Sequence, residues 1–169
     1  LGGVMLRHWA GGASATPLPV YGPAGVEAVA DGFNAAYTQD KGYRVAHHGP
    51  KVVPPEGFGA AARPFATPAD GADTVVIQSP DLTVTAFLVN HAPVEPAVGY
   101  RFTYKGRTVV VSGDPAPSPN LVRAAKGADV LVHEALSETL VKMQQDAATA
   151  AGRKNLAAVF HDIPGYHTT

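Results

Sequence analysis

Apolar and polar positions recur in different rhythms along the chain, and each rhythm predicts a different element. Val4 to Trp9 is apolar on one side and is broken by Gly11-Gly12, which predicts a helix that ends there. Pro17 to Tyr21 is a compact apolar stretch before Gly22-Pro23, the pattern of a buried strand feeding a turn. Val26, Val29, Phe33 and Ala36 then return at spacings of three and four, one stripe of a helix with Pro23 in its first turn. The rhythm stops across residues 42–73, where prolines at 50, 54, 55, 64 and 68 deny the backbone its ladder bonds and predict a loop, an edge strand or a projecting arm.

Past that segment β-branched runs dominate. Thr74 to Gln78 and Leu82 to Val89 read as strands joined through Ser79-Pro80-Asp81. Tyr100 to Tyr104 and Arg107 to Ser112 read as a hairpin turning at Lys105-Gly106, because glycine accepts the positive φ of a tight turn. Ser118-Pro119 opens a helix that Gly127 stops, and Val130 to Val132 follows as a short buried strand, which makes a βαβ unit with a parallel pair. Ser137 caps a helix through Leu140, Val141 and Ala147 to Ala151, closed by Gly152, and Asn155 to Phe160 is a last strand. Hairpins early and helices late predict an α/β fold, a mixed sheet with helices outside.

At 169 residues and 46% hydrophobic content the chain can bury one core, so a single domain, 1–169, is expected. A formal charge of −1 without a run of lysine or arginine offers no footprint for duplex nucleic acid. With no cysteine, disulfides and thiolate ligands are excluded, and histidine and carboxylate are the remaining good ligands for a zinc-class ion. No run of about 18 apolar residues is present to span a membrane, and the compartment is left open. The chain opens on Leu1 and stops at His167-Thr168-Thr169 with no helix stop, so it reads like an excerpt.

Candidate chemistry gathers at the ends of the expected strands: His91, Asp114, His133-Glu134, His161-Asp162 and His167. Strand ends hold side chains rigidly while the loops beyond them are free to vary. Imidazole and carboxylate suit a divalent cation, and Asp114, with two oxygens, could bridge a pair of ions that acidify a shared water for hydrolysis of an ester. The His47-His48 pair is expected on the surface, since neighbours on a strand point to opposite faces and do not share an ion. Asp31, Asp40 and Glu56 read as solvated charges, Trp9 and Phe33 as core, and Gly11-Gly12 as punctuation rather than a phosphate loop.

Four ordered motifs carry a resemblance: the stretch from Asn90-His91 to Gly99-Tyr100-Arg101, the stretch from Gly106-Arg107 to Ser112-Gly113-Asp114, the stretch from Ala128 to His133-Glu134-Ala135, and His167-Thr168-Thr169. Together they resemble the ribonuclease Z branch of the metallo-β-lactamase superfamily, and Leu1-Gly2-Gly3 is similar to the residues that follow that family's His-x-His-x-Asp-His motif. The resemblance implies a layered αββα fold, incomplete here, and a hydrolase of phosphate or sulfate esters using two zinc ions. It implies that His91 is a metal ligand, that Asp114 bridges the ions, and that Glu134 orients His167 as proton donor to the leaving group, with His133 in support. The His-x-His-x-Asp-His segment and a last ligand histidine are expected outside the chain, so the 169 residues alone are expected to bind metal weakly and to be inactive. Pro115 and Leu136 stand where the family commonly has threonine, and Pro115 removes an N–H and a hydroxyl from behind the ligands. The substrate expected first is a small ester, as for the arylsulfatase-like and small-phosphodiesterase members, because Lys41, Arg44, Lys51 and Arg63 are too few for an RNA-gripping arm. A transfer RNA 3′-processing endonuclease and a noncatalytic binding or dimerisation homologue are the alternatives, and a homodimer is expected.

Overall fold

A computed structural model describes residues 1–167, and the chain divides into two compact units, Leu1–Ala66 and Thr67–Thr169. The first begins with α1 (Gly2–Leu6), which continues as a π-helical turn over Arg7–Gly11. There follow β1 (Leu18–Gly22), α2 (Val26–Ala36), α3 (Thr38–His48), a 3-10 turn at Pro55–Gly57 and β2 (Ala60–Pro64). β1 and β2 pair in parallel, Leu18 opposite Ala60 and Gly22 opposite Pro64. Met5, Ala30 and Ala60 form the centre of this unit, with Leu18, Val20, Phe33, Tyr37 and Phe58 packed around them. Trp9 is wholly buried and its indole N–H donates to the Pro54 carbonyl at 2.6 Å, which ties the proline-rich loop to the first helix.

Several expectations are corrected in this unit. α2 starts at Val26 behind Gly25, leaving Pro23 outside it, and its inward stripe is Val26, Ala30, Phe33 and Tyr37 while Val29 is half exposed. The small Ala30 lets the helix approach the alanine-rich β2 closely, so packing selects a stripe one residue off the bulkier one. β1 is only half-buried, Leu18 and Val20 facing inward and Pro19 and Tyr21 facing solvent. Residues 42–73 are not all loop: α3 runs to His48, before the first proline of the segment, and is braced by the Asp40–Arg44 pair at 2.6 Å one turn apart. Asp40 thus has a partner, and His47-His48 are exposed helix residues. The later part does hold the expected edge strand, β2.

The second unit is built on β3 (Asp73–Gln78), β4 (Leu82–Leu88), β5 (Val98–Tyr104), β6 (Arg107–Val111) and β7 (Val130–Val132), in the spatial order of their numbers. Neighbours from β3 to β6 are antiparallel and β6–β7 is parallel, so β4, β6 and β7 all run one way and their carboxyl ends lie along one end of the sheet. Lys105 and Gly106, with φ of 48° and 77°, both adopt the left-handed conformation of a tight two-residue hairpin. α4 (Pro119–Ala125) covers one face, where Leu121 and Ala124 meet Phe87, Val89 and Val110. Each large side chain buried in such a cluster contributes about 1.5–3 kcal/mol. Arg101 donates to the Ala124 carbonyl at 2.8 Å and locks the helix end to β5.

α5 (Glu138–Ala150) is capped as expected, the Ser137 hydroxyl accepting from the Leu140 N–H. The predicted strand Asn155 to Phe160 is instead part of α6 (Lys154–Asp162), which turns back on α5 through the short 151–153 link, and a 3-10 turn follows at Ile163–Gly165. β7 is also not buried: its three residues are each about half exposed at the sheet's margin. Pro119 opens α4, but the Ser118 hydroxyl makes no capping bond. The expected class is observed, a mixed sheet with flanking helices, and among the described residues no helix is long and apolar enough to cross a membrane.

Candidate metal centre

Strand direction explains which side chains meet. Leaving β4, the chain places His91 in a turn closed by the Val94 N–H donating to the His91 carbonyl at 2.8 Å. Leaving β6, it passes Gly113 at φ 77°, a bend that an L side chain resists, and this swings Asp114 off the strand line. Ala116 N–H donates to the Asn90 carbonyl at 2.8 Å, so the two loops are stapled together beside the buried Pro115. His91 Nε2 comes to 3.9 Å from an Asp114 oxygen although 23 positions separate them in sequence (114 − 91 = 23).

His167, just past the last 3-10 turn, completes the group from a place that is not a strand end. Its Nδ1 lies 2.7 Å from Asp114 and 3.6 Å from Glu134, and its ring centroid is 6.1 Å from that of His91. Ligating atoms of Asp114, Glu134 and His167 all lie within 4.8 Å of one another, close enough to share one ion. His91 Nδ1 is buried with no hydrogen-bond partner among the described residues, and its Nε2 is beyond hydrogen-bond reach of Asp114. One imidazole and two carboxylates, Asp114, Glu134 and His167, could share a divalent cation of the zinc class, and His91 stands beside them with one ring nitrogen unpartnered among the described residues.

His133 stands apart from the ion-sized gap, with Nδ1 2.9 Å from the Ser112 hydroxyl. Ser112 is buried and its hydroxyl also reaches the Gly113 carbonyl at 3.0 Å, while its N–H donates to Val132 O at 3.0 Å. It therefore joins the ends of β6 and β7 behind Asp114 and Glu134. The sequence carried this residue inside the Ser-Gly-Asp run without marking its role; a small hydroxyl at the last inward position before the glycine bend was the available signal. His161 and Asp162, expected at a strand end, lie exposed on α6 and are not part of this group. Thr168 and Thr169 of the terminal motif lie outside the described residues.

No family model matches the chain. Known proteins do resemble it: ribonuclease Z of Mycobacterium bovis (strain BCG / Pasteur 1173P2) is 34% identical over 145 residues, 83% of this chain and 48% of that protein. Ribonuclease Z of Mycobacterium tuberculosis (strain H37Rv) is 34% identical over 144 residues, covering 83% and 49%. The corresponding protein of Mycolicibacterium gilvum is 31% identical over 144 residues, covering 84% and 47%. The chain spans about half the length of these relatives. The crystal structure of human tRNase Z, short form, matches 96% of this chain and 62% of its own with a TM-score of 0.55 at 20% identity, which shows a shared fold. The resemblance carried by the four motifs is thus met over 83% of the chain: it is similar in sequence to the ribonuclease Z proteins and has a metallo-β-lactamase-like α/β fold.

Proposed function

We propose that this chain carries part of the active site of a metal-dependent phosphodiesterase of the ribonuclease Z type, which cleaves the 3′ trailer from transfer RNA precursors. The observation that carries it is the convergence of His91, Asp114, Glu134 and His167 at one end of one sheet. The names of the relatives favour RNA over the small ester expected first from the scarcity of cations.

His91 and Asp114 would hold the cation, Asp114 from a position between both imidazoles. A divalent ion, when bound, would supply positive charge that acidifies water and stabilises charge on the attacked phosphate. Glu134 and Asp114 steer the His167 ring, whose other nitrogen is left to deliver a proton to the leaving oxygen. The Ser112–His133 pair keeps the two strand ends in register, so the carboxylates stay apart by a fixed gap.

The test is metal content together with cleavage of a precursor transfer RNA and of bis(p-nitrophenyl) phosphate by the protein that carries this chain. The proposal expects zinc-class metal at the site, RNA cleaved in preference to the small ester, and both lost in His91→Ala and Asp114→Ala. Unchanged metal content in both variants would discard the site. Metal bound normally with neither substrate cleaved would leave the noncatalytic homologue as the better reading.

A further inference from the structure

Within the first unit a cleft of about 380 Å³ opens between the first helix, the last turn of α3 and the loop at residues 52–53. Its floor is apolar, made by Leu6, Ala10 and the buried Val53. Arg7, Arg44 and His48 line it as well. We propose that this cleft binds an organic phosphate monoester, the phosphate on Arg7 and Arg44 and the apolar body on the floor, a site separate from the metal centre and independent of the function proposed for it.

Arg44 is held in advance. Its Nε donates to Asp40 at 2.6 Å, and that pairing raises the guanidinium pKa, first through the hydrogen bond and then through the opposite charge. Both terminal amino groups of Arg44 make no hydrogen bond among the described residues, so a planar fork remains for two phosphate oxygens. The Arg7 guanidinium likewise has no partner among the described residues and lies where the helix widens into its π-helical turn. Such turns are rare and occur frequently at functional sites. His48 lies one turn beyond Arg44, its ring edge-to-face with His47 at 4.5 Å between centroids.

The walls do not need a ligand to form. Trp9, on the buried side of the π-helical turn, donates to Pro54 O, and the Val53 N–H donates to Gly49 O at 3.0 Å. The loop is thereby fixed against the helix with Val53 turned inward. A cleft of this size, apolar below and cationic at its side, suits a compact aryl or alkyl body with one anionic group. Inorganic phosphate alone leaves the floor wet, and an uncharged alcohol leaves the guanidinium fork unfilled.

The experiment is an NMR shift titration of the full 169-residue chain with phenyl phosphate, inorganic phosphate and benzyl alcohol. Phenyl phosphate is expected to shift Arg7, Arg44, His48 and Val52 and to bind about tenfold tighter than either of the other two, the gain of covering the floor. Arg7→Ala, at an exposed position, is expected to weaken it about three- to fivefold. Arg44→Lys keeps the charge but not the fork and is expected to weaken it as well, which guards against loss of α3 in a harsher variant. Asp114→Ala is expected to leave this affinity unchanged, so failure of the metal centre and failure of the cleft are read separately. Shifts centred elsewhere, equal affinity for phenyl phosphate and inorganic phosphate, or unaltered affinity in Arg7→Ala would each overturn the proposal.

Discussion

Two aspartates flank the β6–β7 strand pair and are used in opposite ways. Asp129 precedes β7 at the end where the Lys105-Gly106 hairpin turns, and its partly exposed carboxylate is taken up by the chain itself, accepting from the Thr108 N–H at 2.7 Å and from Arg107 at 2.6 Å. Those contacts hold its pKa below the usual carboxylate value, the Thr108 N–H first and the Arg107 hydrogen bond next. Asp114 follows β6 at the other end, and among the described residues its carboxylate accepts no backbone hydrogen bond; its polar neighbours include His91, Glu134 and His167. One sheet thus has an end finished by its own backbone and an end where donors face each other across a gap. The difference lies less in residue type than in whether the strand ladder consumes the oxygens.

The largest effect tests what the two ends share. Phe87→Ala empties the centre of the cluster beneath α4 and is expected to cost about 3–5 kcal/mol in urea unfolding. A smaller loss would mean that the ends are supported separately. Next, Asp114→Ala is expected to lower metal affinity about ten- to hundredfold, read by metal analysis, while Asp129→Ala leaves it intact. Equal loss in both variants would erase the contrast. Gly106→Ala puts a side chain at φ 77° and is expected to destabilise by about 1–2 kcal/mol without touching metal content, confining that damage to the plain end.

The smallest effect concerns acid. Because the folded pKa of Asp129 is lowered, its contribution is complete above the unfolded carboxylate pKa of about 3.9 and is lost as pH falls through the lower folded value. Urea midpoints followed down into the acid range should fall less steeply in Asp129→Asn than in the native chain. An identical acid limb in both would show that the Thr108 and Arg107 contacts do not outlast solvent exposure.

Elements whose local signals agree with their packing were legible from the residues. The hairpin around Lys105-Gly106 needs two left-handed positions and supplies them, and the capped helix after Ser137 appears with its hydroxyl in place. The run Asn155 to Phe160 was ambiguous: six residues too short to show a period, with Val and Phe favouring a strand. Lys154–Asp162 is helix and turns back beside α5, a tertiary setting invisible to a short window. α3 was hidden by the prolines after it, although the Asp40–Arg44 spacing was there to be read. The nearness of His91 and Asp114 was legible because both follow strand ends, and strand polarity brings those ends together. The service of Ser112 to His133 depends on which two strands lie side by side, and that is settled only by the sheet order.

β7 carries the chain to His133 and Glu134, yet it is a three-residue ribbon at the sheet's margin, paired along β6 and half exposed on each residue. Marginal backbone of this kind opens by fraying long before the central strands unzip. Glu134 therefore follows a short edge strand, while His91 and Asp114 follow the interior strands β4 and β6. Deuterium uptake at Val130 to Val132 should outpace that at β4, so the segment leading to Glu134 should loosen before the one leading to His91.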